Sequence, residues 1–434
     1  MTGVADHQAG AGSVTRALVL HPDIRTAQST RAPENALAEA VALAQALPGL
    51  EVVDAQIVRL PKAQAGMLFG SGKVAELGEA IKAAEIELVL VDGPVTPVQQ
   101  RNLEREWDVK LLDRTGLILE IFADRARTRE GVLQVELAAL SYQRTRLVRA
   151  WTHLERQRGG LGFVGGPGET QIEADRRAID TQMVRLRRQL EKVSKTRELH
   201  RAARRKVPFP VVALVGYTNA GKSTLFNRLT GAEVLAKDML FATLDPTMRA
   251  VRLPTGKEVI LSDTVGFISD LPTQLVAAFR ATLEEVLEAD LIVHVRDIAH
   301  PETEEQARNV RDILTDLGVG PETALIELWN KADLLPEAQH TALVQRAEAR
   351  PDVFLGSAVT GAGLEGFFAA ITELLDDTRH AGEVMLDFSE GRARAWLYDN
   401  VQVQKEEQGE SGFRLHVLWT DRQKRQFDVL RAAG

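Results

Sequence analysis

The 434-residue sequence contains no cysteine. That absence excludes a disulfide framework, a thiolate zinc site and a cysteine-ligated iron–sulfur cluster. Its nine histidines stand singly, with no HExxH-like spacing, so a histidine-built metal centre is not expected either. No apolar run approaches the roughly 18 residues of a membrane span, and the opening MTGVADHQAGAGSVTR has no apolar core of signal-peptide length. The expectation is a globular, monomeric protein with a reducing, cytoplasmic address. Apolar residues make up 44% of the chain, ample for real cores, and the length suits roughly three domains.

Acidic residues outnumber basic ones only slightly, 61 to 53 for a net of −8, yet residues 141–207 hold 17 Lys or Arg against 7 Asp or Glu. Most of that local excess is arginine. It reads either as a solvated pair of helices or as an arm that faces a polyanion. Inside it, RGGLGFVGGPGETQIEADRR packs six glycines into residues 159–168, and Gly160, Gly162 and Gly165 spell GxGxxG. A dinucleotide fingerprint needs a buried strand before the first glycine and a helix at the last. Here the upstream flank is charged and helix-like, and Pro167 is expected to break the chain before the run Glu169 to Arg177. The glycine loop therefore reads as flexible backbone between two basic helices, offered to RNA or to neighbouring loops, or as a plain hairpin.

Periodicity gives the organisation. A polar tail, residues 1–13, precedes TRALVL, EVVDAQIVRL and IELVLVDG, which alternate with helical stretches and predict a parallel α/β unit over 14–125. Residues 126–207 turn helical, with Leu137, Leu140, Leu147, Trp151 and Leu154 near one face, and a second helix is expected from Gln171 to Lys206. A second α/β unit spans 208–378, with a doubly wound sheet. RHAGE then links to a small α+β piece, residues 383–434. The fold class is α/β.

The chemistry sits in the second α/β unit. VVALVGYTNAGKSTLFNRL places an apolar run, Val211 to Val215, before Gly216, Tyr217, Thr218, Asn219, Ala220, Gly221, Lys222, Ser223 and Thr224, and an amphipathic helical pattern follows. This is a Walker A loop in its required context: main-chain amides wrap a β-phosphate, Lys222 neutralises the β- and γ-phosphates, and Ser223 binds Mg²⁺. A decoy, FGSGKVAEL, has Met67 where the first glycine belongs and Val74 where the hydroxyl is needed, so it reads as structural. Downstream, VILSDTVGF ends a strand with Asp263, suited to holding Mg²⁺ through water, then Thr264, Val265 and Gly266, whose amide can face a γ-phosphate. ALIELW ends in Asn330, Lys331, Ala332 and Asp333; DVFLGSAVTGAG ends in Ser357, Ala358 and Val359. A carboxylate can accept from both the N1 and N2 donors of guanine, a pair that adenine lacks. Asp333 is therefore expected to select GTP, with Asn330 steadying the loops and the Ala358 amide meeting the guanine O6.

These loops resemble the TRAFAC class of GTPases over about residues 208–378. With GGLGFVGGPGETQIEADRR, GYTNAGKSTLFN, LFATLDPT, DTVGF and NKAD in this order, the chain resembles the HflX family of ribosome-associated GTPases, relatives of the Obg-like GTPases; the N-terminal LLDRTGLILEIFADRARTREGVLQVELAAL is similar as well. The resemblance implies Mg²⁺-dependent GTP hydrolysis, binding to the large ribosomal subunit and its rRNA, a role in ribosome dissociation or rescue, and a ribosome- or membrane-associated fraction. In LFATLDPT it implies that Phe241, Ala242, Thr243, Leu244 and Asp245 border the nucleotide and that the Thr243 hydroxyl reaches Mg²⁺, with Thr247 the alternative. The implied catalytic set is Lys222, Asn219, Thr243 and Gly266. Asn219 matches an asparagine that holds K⁺ in some related GTPases, or else caps the loop. Phe267 stands where Ras-like enzymes place a water-orienting glutamine, so intrinsic hydrolysis is expected to be slow. Two rivals remain: an ATP-using P-loop enzyme, which would have no use for Asp333, and an RNA-binding scaffold indifferent to nucleotide.

Overall fold

The structure, a computed structural model, describes residues 14–25, 31–157, 167–204, 209–231, 240–241, 247–269, 286–287, 289–320, 323–375, 380–409, 412–419 and 421–432. The first unit runs β1 (Thr15–Ile24), α1 (Pro33–Gln45), β2 (Leu50–Leu60), α2 (Ser71–Ala83), β3 (Leu88–Val91), α3 (Pro97–Trp107), β4 (Lys110–Asp113) and α4 (Arg114–Arg125). Its sheet has the order β2-β1-β3-β4 and is parallel throughout. The central runs Ala17 to Leu20 and Leu88 to Val91 are buried because helices cover both faces. Thr96 and Gln99 form a reciprocal capping box at α3, and Asp113 caps α4 through the Gly116 amide. The decoy segment opens α2, where Lys73 pairs with Glu76 at 2.6 Å on the surface.

Helices α5 (Arg129–Gln157) and α6 (Pro167–Arg204) follow. The second starts at Pro167, earlier than the sequence pattern suggests, so this proline opens a helix where a break was expected. A proline in the first turn costs no hydrogen bond, since amides there have no intrahelical partner. On α5 the apolar side chains of Leu133, Val135 and Ala138 are buried, while Leu137 and Leu140 are only half-buried. Met183 and Leu186 of α6 are buried, Arg144 bridges the pair to Asp180 at 2.7 Å, and Arg185, Arg187 and Arg188 are exposed. Most of the glycine loop, residues 158–166, lies outside the described residues.

The second α/β unit comprises β5 (Val211–Val215), α7 (Lys222–Thr230), β6 (Thr247–Arg252), β7 (Glu258–Asp263), β8 (Leu291–Asp297), α8 (Thr303–Leu317), β9 (Ala324–Asn330), a 3₁₀ turn (Ala332–Leu334), α9 (Glu337–Glu348), β10 (Val353–Leu355) and α10 (Leu364–Leu375). Strand order is β10-β9-β8-β5-β7-β6, with β6 antiparallel and the rest parallel. One apolar cluster runs from Leu117 and Phe122 on α4 to Phe241, Phe267 and Val310, so the first two α/β units share a core. A final piece, β11 (His380–Asp387), α11 (Gly391–Asn400), β12 (Gln402–Gln408), β13 (Gly412–Trp419) and α12 (Asp421–Ala432), builds an antiparallel sheet around Leu397, Leu415 and Val417. Among the described residues no helix is long and apolar enough to cross a membrane.

Candidate active site

The carboxyl ends of β5, β7, β9 and β10 deliver four loops to one edge of the sheet, where α/β proteins bind ligands. After β5 the chain can turn only with glycine at two places. A Cβ on Gly216 would lie 2.2 Å from the Val295 carbonyl oxygen, and one on Gly221, at φ +95°, would lie 2.1 Å from Asn330 Nδ2. Gly221 caps α7, so that helix presents its positive end to the loop. Lys222 is buried, and its ammonium donates to the carbonyls of Gly216 (3.1 Å) and Tyr217 (2.8 Å), which fixes it beneath the loop. Burial pulls its pKa down to about 8, against the opposing pull of Asp263. Ser223 Oγ donates to Asp263 Oδ2 at 2.7 Å, with Thr224 half-buried beside it. A hydroxyl and a carboxylate form a hard-oxygen pair that suits Mg²⁺, which leaves most of its coordination to phosphate and water; no cluster of three His, Cys, Asp or Glu occurs among the described residues.

Beyond Asp263, the Thr264 hydroxyl donates to the Leu214 carbonyl at 2.6 Å, and Val265 joins the core. Gly266 packs so closely that a Cβ there would lie 2.9 Å from Thr218 Cγ2 and 3.1 Å from Lys222 Nζ. The next residue is stitched to the Walker loop: Thr218 N–H donates to the Phe267 carbonyl (2.7 Å) and Phe267 N–H to the Gly216 carbonyl (3.1 Å). The Phe267 ring, 2% exposed, packs in the shared core. Asn219 sits exposed at the loop tip with φ +59°, a conformation asparagine tolerates better than most residues. Phe241 is described and buried; Ala242, Thr243, Leu244 and Asp245 lie outside the described residues. Thr247 opens β6, in register with Asp263.

After β9, Asn330 ties two loops together, donating from Nδ2 to the Ala220 carbonyl and accepting the Ala358 amide at Oδ1, both at 2.8 Å. The Ala358 amide is thus engaged by Asn330, so a guanine O6 must share that donor or displace the bond. Lys331 turns the chain at φ +64° and pairs with Asp297 at 2.8 Å. Asp333 and Val359 are exposed, while Ser357 Oγ accepts from the Thr360 amide. The structure adds residues that sequence reasoning missed. Arg228 of α7 donates to the carbonyls of Ala358, Val359 and Thr360 and braces the loop that follows β10. The Tyr217 side chain points away from the phosphate loop to Glu39 and Ser269, in company with Arg114. Tyr217 stands in the Walker motif, but no local pattern in the sequence marks Arg228, Glu39 or Arg114.

Three family models match in succession: GTP-binding GTPase N-terminal over residues 34–123, GTP-binding GTPase Middle Region over 125–204 and 50S ribosome-binding GTPase over 211–331. The GTPase HflX of Magnetococcus marinus is 52% identical over 362 residues, 83% of this chain and 83% of that protein. The GTPase HflX of Escherichia coli is 48% identical over 343 residues, 79% of this chain and 80% of that protein. Among solved structures, a GTP-binding protein from Sulfolobus solfataricus in complex with GDP is 24% identical, with TM-score 0.45, covering 83% of this chain and 98% of that one.

Proposed function

The chain belongs to the HflX family of GTPases and hydrolyses GTP, and from that premise we propose that it turns over on the large ribosomal subunit, held there by its basic helices, and acts in ribosome dissociation or rescue. The observation that carries the ribosomal reading is the match of residues 211–331 to 50S ribosome-binding GTPases. The exposed arginines of α6 add the electrostatics that an RNA surface requires.

At the site, the Walker amides and Lys222 take the β- and γ-phosphates, and the Gly266 amide meets the γ-phosphate from the other side. Ser223 and Asp263, with Thr243, would hold Mg²⁺, which neutralises phosphate charge when bound. Asn219 is the residue to hold K⁺, which would offset charge developing in the transition state. Asp333 accepts from the guanine edge. A phenyl ring at Phe267 neither donates nor accepts a hydrogen bond, so the attacking water gains no side-chain orientation there. Hydrolysis is slow until the ribosome supplies or arranges the missing group.

The test is turnover with purified large subunits across a salt series, for the native chain and for a variant with Arg185, Arg187 and Arg188 changed to Ala. Stimulation should fall steeply with salt, and each lost phosphate contact should flatten the log–log slope by about one unit. Stimulation that survives both salt and the substitutions would show that the contact lies elsewhere.

A further inference from the structure

An enclosed polar cluster outside the phosphate loop joins the N-terminal unit to the segment after Gly266. Tyr217 Oη accepts from the Ser269 amide (2.8 Å), shares a hydrogen bond with Ser269 Oγ (2.7 Å) and donates to Glu39 of α1. Arg114, the first residue of α4, donates to the Ser269 carbonyl (3.0 Å), to Glu39 and to Asp92 Oδ1 (2.6 Å). Asn309 of α8 adds a bond to Ser269 Oγ at 3.0 Å. Thus one residue, three positions past Gly266, has its amide, carbonyl and hydroxyl all held. Of the direct holders, Arg114 comes from the other α/β unit and Tyr217 from the Walker loop itself; Glu39, also from the other unit, acts one bond further out by holding both Tyr217 and Arg114. Burial and Glu39 push the Tyr217 phenol upward in pKa, so it stays a neutral donor at working pH. The same helix reaches the other side of the site: Phe122 of α4 meets Phe241 edge-on, ring centres 4.6 Å apart, two residues before Thr243.

We propose that Glu39 and Arg114 are positioning residues for the GTPase site, which fix Ser269 and hence hold Gly266 beside Lys222, where its amide meets a γ-phosphate. The physical case is preorganisation. A γ-phosphate oxygen that bonds both the Lys222 ammonium and the Gly266 amide needs them close before it arrives, and a Cβ on Gly266 would already lie within 3.1 Å of that ammonium. The bonds at Ser269 and the Gly216–Phe267 stitching hold this spacing from both sides. GDP lacks the γ-phosphate and gains nothing from the clamp. The clamp therefore raises affinity for the triphosphate selectively, and the N-terminal unit contributes to discrimination between GTP and GDP without touching either.

This inference rests on the reading of Gly266 as the γ-phosphate contact, and the experiment separates the two. Arg114→Met is the cleaner variant, because Asp92 keeps His21 (2.8 Å) and Glu39 keeps Arg31 (3.1 Å) as partners, so no buried carboxylate is stranded. Glu39→Gln, which keeps a hydrogen-bonding group of the same shape, is the second. The full-length chain is titrated with fluorescent GDP and with a non-hydrolysable GTP analogue, alongside Gly266→Ala. The proposal expects Arg114→Met to weaken the analogue at least five-fold while GDP affinity stays within two-fold, with a smaller loss in Glu39→Gln. Equal losses for both nucleotides, no change, or tighter analogue binding would each overturn it. If Gly266→Ala leaves analogue affinity untouched, the underlying reading of Gly266 fails instead.

Discussion

Alkaline pH should strip nucleotide from this protein through a single ammonium. Lys222 is enclosed by the Walker loop, and burial brings its pKa down to about 8, although Asp263 pulls the other way. Phosphates stabilise the charged form, so the pKa in the complex lies higher and binding above pH 8 must take up a proton. With a free-state pKa of about 8, roughly half the lysines are charged at pH 8 and about one in ten at pH 9. Affinity for GDP should therefore drop about two-fold and then about ten-fold relative to pH 6.5, the latter about 1.4 kcal/mol. Titration with a fluorescent GDP analogue at fixed ionic strength and Mg²⁺ reads this directly. Calorimetry at pH 8 in two buffers of different ionisation enthalpy should show uptake of about half a proton. Affinity that stays flat to pH 9, or no proton uptake, would refute the reasoning.

Asp333→Asn turns one carboxylate acceptor into a donor facing the guanine donors, so GTP preference should fall by a few kcal/mol and xanthosine nucleotides should bind instead; normal GTP hydrolysis at limiting GTP would remove Asp333 from base recognition. Ribosome-stimulated turnover should be faster in K⁺ than in Na⁺ at equal ionic strength, and Asn219→Ala should erase the difference; equal rates in the two salts would leave Asn219 a loop cap. His294, buried on β8, is held well below the usual histidine range, first by burial and then by Arg296, Arg311 and Lys222, against the opposing Glu327. Its folded pKa lies under its unfolded value of about 6.5, so stability is full above that pH and falls by up to about 1.4 kcal/mol per unit below it. Denaturant melts of the native chain and of His294→Asn between pH 7 and 5 should diverge in slope, and parallel slopes would rule out His294 as the source.

What could be read from the sequence follows chain-local physics. The run Val211 to Val215, buried from Val212 on, is a strand with helices on both sides of its sheet, and such a strand is continuously apolar. Gly216 and Gly221 are legible because their backbones come within about 2 Å of what a side chain would occupy, a demand no other residue type meets. Phe267 is legible as a packing residue for the same reason that it is a poor catalyst. By contrast, the Arg114–Glu39–Tyr217 cluster joins positions 75 and 178 apart in the chain, and nothing in a periodicity tells which surfaces dock. Pro167 was misleading because a helix opening and a chain break carry the same residue, and which positions of α5 are buried depends on its packing against α3, α4 and α6, which no periodicity names.

Sedimentation with purified large ribosomal subunits, in GDP and in a non-hydrolysable GTP analogue, tests the central claim most directly. Co-sedimentation should be markedly stronger with the analogue, should weaken as salt rises, and by linkage the subunit should tighten the analogue by the same factor. Equal co-sedimentation with GDP, with the analogue and without nucleotide would contradict the coupling of the GTPase cycle to the ribosome.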